Sequence, residues 1–201
     1  MVTVGFIVEG DSEVILIKSE PFINFLNKIQ LHCSNELVIN AGGKFNLYHP
    51  KGDFSKIEIR VNGWIETLKD KGAELIFILL DFDDSDDNYT SFKQKIFHQE
   101  NNIIVVAKQE LEAWYLADTN ALNKYLGTTG LEIENPESFL KPLEELKRLR
   151  NLYSNKGIAD KKFLTKHFIS SGFSLQNAAN HQNCFSAKYF LSKLMAAAII
   201  N

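Results

Sequence analysis

The 201-residue chain has only two cysteines, Cys33 and Cys184, and they belong to no CxxC or other metal-spaced pair. A disulfide scaffold is thereby excluded, and both residues read as reduced thiols of a reducing compartment. Proline is scarce at four residues, and the chain shows no internal repeat and no low-complexity segment. With 45% hydrophobic and 23% charged residues, collagen-like and wholly disordered chains are excluded as well. Long apolar runs are missing: the longest near either end, residues 195–200, is too short to span a bilayer. No basic region precedes the apolar run at the start, so no signal peptide is expected. The expectation is a soluble, cytoplasmic protein with no membrane partner.

Several catalytic patterns are absent too. There is no GxxxxGK[ST] phosphate loop. A calcium loop of the EF-hand type starting at Asp81 would need Gly and Glu where the chain has Asp86 and Phe92. An aspartyl phosphotransferase would want Asp where Glu9 stands, and a receiver domain would need a late strand ending in Lys. The five histidines, His32, His49, His98, His167 and His181, are scattered in polar company and read as surface residues. His181 and Cys184 share a short stretch, but two ligands make no zinc site.

What the chain does have is a divided charge. From Lys141 onward ten Lys and Arg face three acids, a net of +7, while the first 140 residues hold twelve against twenty-two, a net of −10. Such asymmetry suits a cation-holding part joined to a phosphate-contacting part, although solvated helix faces give the same count.

Continuous apolar runs at residues 3–8, 75–80 and 102–107, with a shorter one at 36–39, predict four strands. Their lack of alternation points to a parallel sheet covered on both faces. Helical spacing predicts one long helix over about 14–29, bent near Pro21, then helices over 56–71, 89–98 with Asp87 as N-cap, and from 111 to 117. Alternating strands and helices give an α/β architecture with right-handed crossovers. After Asp118 only helices are predicted: 120–126, 136–153, 161–168 and 184–199. The expected organisation is an α/β domain over 1–118 and a helical extension over 119–201 packed on it, with no long linker between.

In an open parallel sheet ligands bind at the carboxyl ends of strands. Glu9 ends the first strand, Asp81 and Asp83 end the central one, and Glu110 and Glu112 follow the last. Asp81 and Asp83, two apart in extended chain, leave on the same side. A carboxylate pair 4 Å apart repels by about 4 kcal/mol at an effective dielectric of 20. Either the acids splay into water or a cation holds them, and oxygen ligands without His or Cys favour magnesium, manganese or calcium. Asp84, Asp86 and Asp87 read as loop and capping charges. Trp64, Phe82 and Tyr89 are candidates to stack on a base, with core or edge packing the commoner role.

The sequence Val8-Glu9-Gly10-Asp11-Ser12-Glu13, the later Asp81-x-Asp83, and residues 110–118 (ELEAWYLAD) resemble the TOPRIM-like bacterial family termed domain of unknown function 4276. It is related to the TOPRIM domains of topoisomerases, primases and overcoming-lysogenization-defect nucleases. The resemblance implies a TOPRIM-like (Rossmann-like) fold over 1–118. It also implies magnesium- or manganese-dependent phosphodiester chemistry on nucleic acid, with a place in phage defence. By the same resemblance Glu9 is the general acid/base or a ligand, Asp81 and Asp83 are metal ligands, Glu13 serves a second metal, and Glu112 matches a characteristic family position. The basic residue completing such a site is open among Lys156, Lys161, Lys162 and Lys166, which are also the candidates for phosphate contact. The alternative is a non-catalytic binding module of the same fold that acts through a protein or nucleic-acid partner.

Overall fold

The structure, a computed structural model, describes residues 1–82, 88–155, 157–158 and 160–199. Five strands form the sheet: β1 (Val2–Val8), β2 (Leu31–His32), β3 (Val38–Asn40), β4 (Leu75–Asp81) and β5 (Asn102–Ala107). Every pairing between them is parallel. β1 and β4 are buried almost throughout, as strands covered on both faces must be. The order is β2-β1-β4-β5, and β3 joins the same edge of β1 as β2. Val2 pairs with Leu31 at one end of β1 and Phe6 with Val38 at the other. The sheet is therefore five-stranded, not four-stranded: the strand expected over 36–39 starts in a 3-10 turn at Asn35–Leu37 and ends in β3, and β2, outside that range, is the additional strand on the same edge.

Side chains alternate across a strand, so Phe6 and Gly5 face opposite sides of the sheet. On one side Phe6 stacks on its register partner Phe77, with centroids 5.3 Å apart. Phe190 of helix α10 (Phe185–Ala197) meets both rings edge-on and stacks on Phe22 and Trp114. On the other side helix α3 (Glu58–Asp70) lies close: a Cβ at residue 5 would stand 3.2 Å from both Leu68 Cδ1 and Ala73 Cβ. Glycine at this position sets the α3 spacing. One hydrophobic cluster runs from Val2 to Ala197, so the C-terminal helices share the core of the sheet.

The expected long first helix is two helices, α1 (Asp11–Ile17) and α2 (Glu20–Lys28). Pro21 sits in the first turn of α2, where its missing N–H costs nothing, and Ser19 caps that helix. Helix α4 (Tyr89–Gln94) is capped by Asn88, whose side chain accepts from the Ser91 amide at 2.9 Å; Asp87 lies outside the described residues. Then follow α5 (Glu112–Ala117), α6 (Thr119–Leu126), α7 (Pro142–Ser154), α8 (Lys161–Ser170), α9 (Leu175–Asn180) and α10. The helix expected from residue 136 starts at Pro142, preceded by a 3-10 turn at Pro136–Ser138, and α9 was not anticipated. Among the described residues no helix is long and apolar enough to cross a membrane.

Candidate active site at the strand ends

The chain leaving β1 turns toward β2 and β3, while the chain leaving β4 turns the other way to β5. Adjacent strands whose connections diverge open a crevice at their carboxyl ends. Glu9 follows β1 directly and Asp81 is the last residue of β4, so both acids stand at this crevice. The Asp81 amide donates to Glu9 Oε2 at 3.0 Å. Glu9's own amide donates to the Leu79 carbonyl, and its carbonyl accepts from Gly43. The Glu9 carboxylate is thus fixed across the two central strands.

Two further acids, Glu13 and Glu112, close in. Glu13, at the third position of α1, accepts from the Gly10 amide through Oε2 at 3.0 Å, one half of a capping box. A Cβ at residue 10 would lie 3.3 Å from that oxygen, so glycine leaves the carboxylate its room. Asp81 Oδ1 accepts from the Leu111 amide at 2.9 Å, which ties β4 to the start of α5. Glu112, in the first turn of α5, is 1% exposed. Its Oε2 lies 3.5 Å from Lys161 Nζ, and its Oε1 is buried with no hydrogen-bond partner among the described residues.

Lys161 reaches this group from the first turn of α8 and donates to Glu110 Oε1 at 2.9 Å, while Glu110 Oε2 accepts from the Leu143 amide. Thr165 Oγ1 donates to the Lys161 carbonyl and accepts from the buried Tyr115 hydroxyl. Helix α8 is thereby held against α5 with its lysine turned to the acids.

Burial dominates the electrostatics. It pushes the Glu13 carboxyl up to about 7, against a hydrogen bond from Glu13's own backbone, with Glu9 and Glu112 adding to the shift and Lys161 opposing it. Asp81 is held well above the usual carboxylate range by burial first, then by Glu13, Glu9 and Glu112. Glu112 is raised by burial as well, against the pull of Lys161. For Lys161, burial favours the neutral amine, but Glu112, Asp81 and Glu110 together outweigh it and keep the ammonium charged.

The structure therefore brings together Glu9, Glu13, Asp81, Glu112 and Lys161. Asp83 and Lys156 lie outside the described residues. Lys162 pairs with Asp11 at 2.5 Å on an exposed face, where Asp11 also accepts from Asn40, and Lys166 is exposed further along α8. Sequence reasoning set Glu110 at a strand end but not in the site, where it anchors Lys161; a bond spanning 51 residues leaves no local signal.

As the side chains stand, no group of three or more His, Cys, Asp or Glu among the described residues is arranged to hold a metal ion. The donor chemistry nevertheless fits a hard divalent cation: carboxylates only, desolvated, crowded enough to retain protons, with one buried oxygen unpartnered. Comparison with protein-family models, curated proteins and solved structures returns no significant match.

Proposed function

We propose that the chain is a TOPRIM-like, divalent-metal-dependent nuclease or phosphodiesterase that acts on nucleic acid and serves in phage defence. The observation that carries this reading is the contact between Glu9 and Asp81 at the crevice, with Glu13 and Glu112 buried alongside. Glu9, Glu13, Asp81 and Glu112, together with Asp83, would hold Mg2+ or Mn2+. When bound, the cation supplies positive charge to phosphate oxygens and lowers the pKa of an attacking water.

The chain's own residues supply the rest. Glu9, oriented by the Asp81 amide, is a fixed acceptor for a proton. Glu13, pushed up to about 7, exchanges a proton near neutral pH, where general acid/base groups work best. Lys161 fixes the free rotation of Glu110 and Glu112 and offsets part of their charge. Lys162, Lys166 and Lys156 of the basic half meet flanking phosphates, which makes binding steeply salt-dependent.

Purified protein is expected to shorten single- or double-stranded DNA or RNA in Mg2+ or Mn2+. Glu9→Gln and Asp81→Asn are each expected to slow cleavage by about 10²-fold or more with the circular dichroism spectrum unchanged. Cleavage undiminished in both variants overturns the assignment. Manganese binding without turnover by the wild type moves the chain to a second reading, a non-catalytic binding module. The Lys161 ion pairs favour that reading, since they neutralise part of the acid group without any metal.

A further inference from the structure

Beside the carboxyl end of β5 lies a cavity of about 390 Å³ whose lining includes Tyr89, Lys93, Lys108, Glu137, Phe185 and Tyr189. That volume is in the range of small-molecule pockets. Among the described residues its wall includes none of Glu9, Glu13, Asp81, Glu112 or Lys161.

Glu137, in the 3-10 turn Pro136–Ser138, is 3% exposed. Its Oε1 accepts from both the amide and the hydroxyl of Ser186, at 2.7 and 2.5 Å, and that hydroxyl in turn accepts from Trp114 Nε1 at 2.8 Å. One oxygen is thus fully used and rigidly placed. The other, Oε2, is buried with no hydrogen-bond partner among the described residues. A buried carboxylate oxygen left in this state is costly, and a carboxylate can only accept.

The remaining walls are flat rings and ammonium groups. Tyr89 and Tyr189 are half-buried and Phe185 is exposed. Lys93 Nζ stands 4.3 Å from the Tyr189 ring centre and 5.6 Å from that of Tyr89, and Lys193 approaches Tyr189 from 5.3 Å. Burial, then the nearby Lys193, lowers the pKa of Lys93, and an anion at this mouth would favour its ammonium form.

A ligand matching these features has a planar face, an edge of N–H donors and a negative group at the opposite end. Guanine presents adjacent N1–H and N2–H donors on one edge. Adenine sets an acceptor nitrogen beside its amine, and uracil flanks its N–H with carbonyls, so both turn a lone pair toward the carboxylate. We propose that this cavity binds a guanine nucleotide, with Glu137 reading the N–H edge, Tyr89, Tyr189 and Phe185 packing on the base, and Lys93 and Lys108 meeting the phosphate. The base belongs to a free mononucleotide or to an unpaired guanine in a strand, and the second source rests on the nucleic-acid reading above.

The test is titration calorimetry on the full chain without divalent cation, so that binding here and metal-dependent cleavage stand or fall separately. The protein is expected to bind 5′-GMP about tenfold or more tightly than 5′-AMP or 5′-UMP, the worth of one charge-assisted hydrogen bond. Glu137→Gln is expected to bring the GMP-to-AMP ratio near one. Lys93→Ala should weaken GMP but not guanosine. Tyr189→Ala, on a half-exposed ring, should weaken all three nucleotides several-fold and keeps the proposal testable if Glu137→Gln does not fold. A hexanucleotide with one guanine, compared with GMP, names the source by whichever binds more tightly. Equal affinity for GMP and AMP, a preference that survives Glu137→Gln, or GMP binding untouched by Tyr189→Ala overturns the proposal.

Discussion

Glu112 and Glu137 are both almost fully buried, and each leaves one carboxylate oxygen unpartnered among the described residues. Their surroundings differ in kind. Glu112 belongs to a group of like charges that retains protons because it is desolvated, with Lys161 as the cation drawn into it. Glu137 is held by neutral dipoles, the Ser186 amide and hydroxyl, and the charge it projects is felt by Tyr89, whose hydroxyl is pushed up to about 12 mainly by burial. The difference teaches that a buried carboxylate can be prepared for two kinds of partner. Crowding prepares one for a compact cation; dipolar fixation prepares the other for a directional N–H donor.

The sharpest way to break this contrast is pH. Because the Glu13 carboxyl sits at about 7 in the folded chain and near 4.5 otherwise, the folded chain binds more protons than the unfolded one between those values. Stability is therefore expected to fall as pH rises through this window and to level off above it, by up to about 3 kcal/mol, with Asp81 and Glu112 adding in the same direction. Urea unfolding at pH 5 and pH 8 measures this. Glu13→Gln should flatten the profile, and millimolar Mg2+ should raise Tm more at pH 8 than at pH 5. A profile rising with pH would break the picture of a crowded acid group.

Next in size is Lys161→Met, which strands Glu110 and Glu112. Removing one partner of a fully buried pair costs about 3–5 kcal/mol; with Lys161 38% exposed, about 2–3 kcal/mol is expected at pH 8 and less at pH 5. Smallest is Ser186→Ala, which takes one donor from Glu137 and the acceptor from Trp114 Nε1. It should cost about 1–2 kcal/mol by thermal denaturation and change Trp fluorescence.

Much of the fold was legible because a strand buried on both faces writes itself as an unbroken apolar run, as β1 and β4 do and as β5 does over its buried second half. The two-residue β2 is too short to leave such a pattern, and α9 offers only Leu175, Ala178 and Ala179 among Gln and Asn. Pro21 announced a change of direction but not its form, since a proline in a helix's first turn and one at a bend look alike in sequence. In the site, Glu9, Asp81 and Glu112 were nominated by their strand ends. Choosing among the lysines was impossible, because what separates Lys161 from Lys162 is a helix rotation that turns one toward Glu110 and the other toward Asp11. Glu137 gave no sign at all: its burial depends on Ser186, 49 residues further along.

The place of β1 in the sheet also governs how the molecule is born. Val4 aligns with Leu75 and Val8 with Leu79, so the central strand leaves the ribosome 71 residues ahead of the neighbour that completes it. At roughly 5–20 residues per second the apolar segment waits about 4–14 s for that partner. During this interval the β4-facing edge of Val2–Val8 stays unpaired, which makes chaperone supply and synthesis temperature the expected levers on yield in cells.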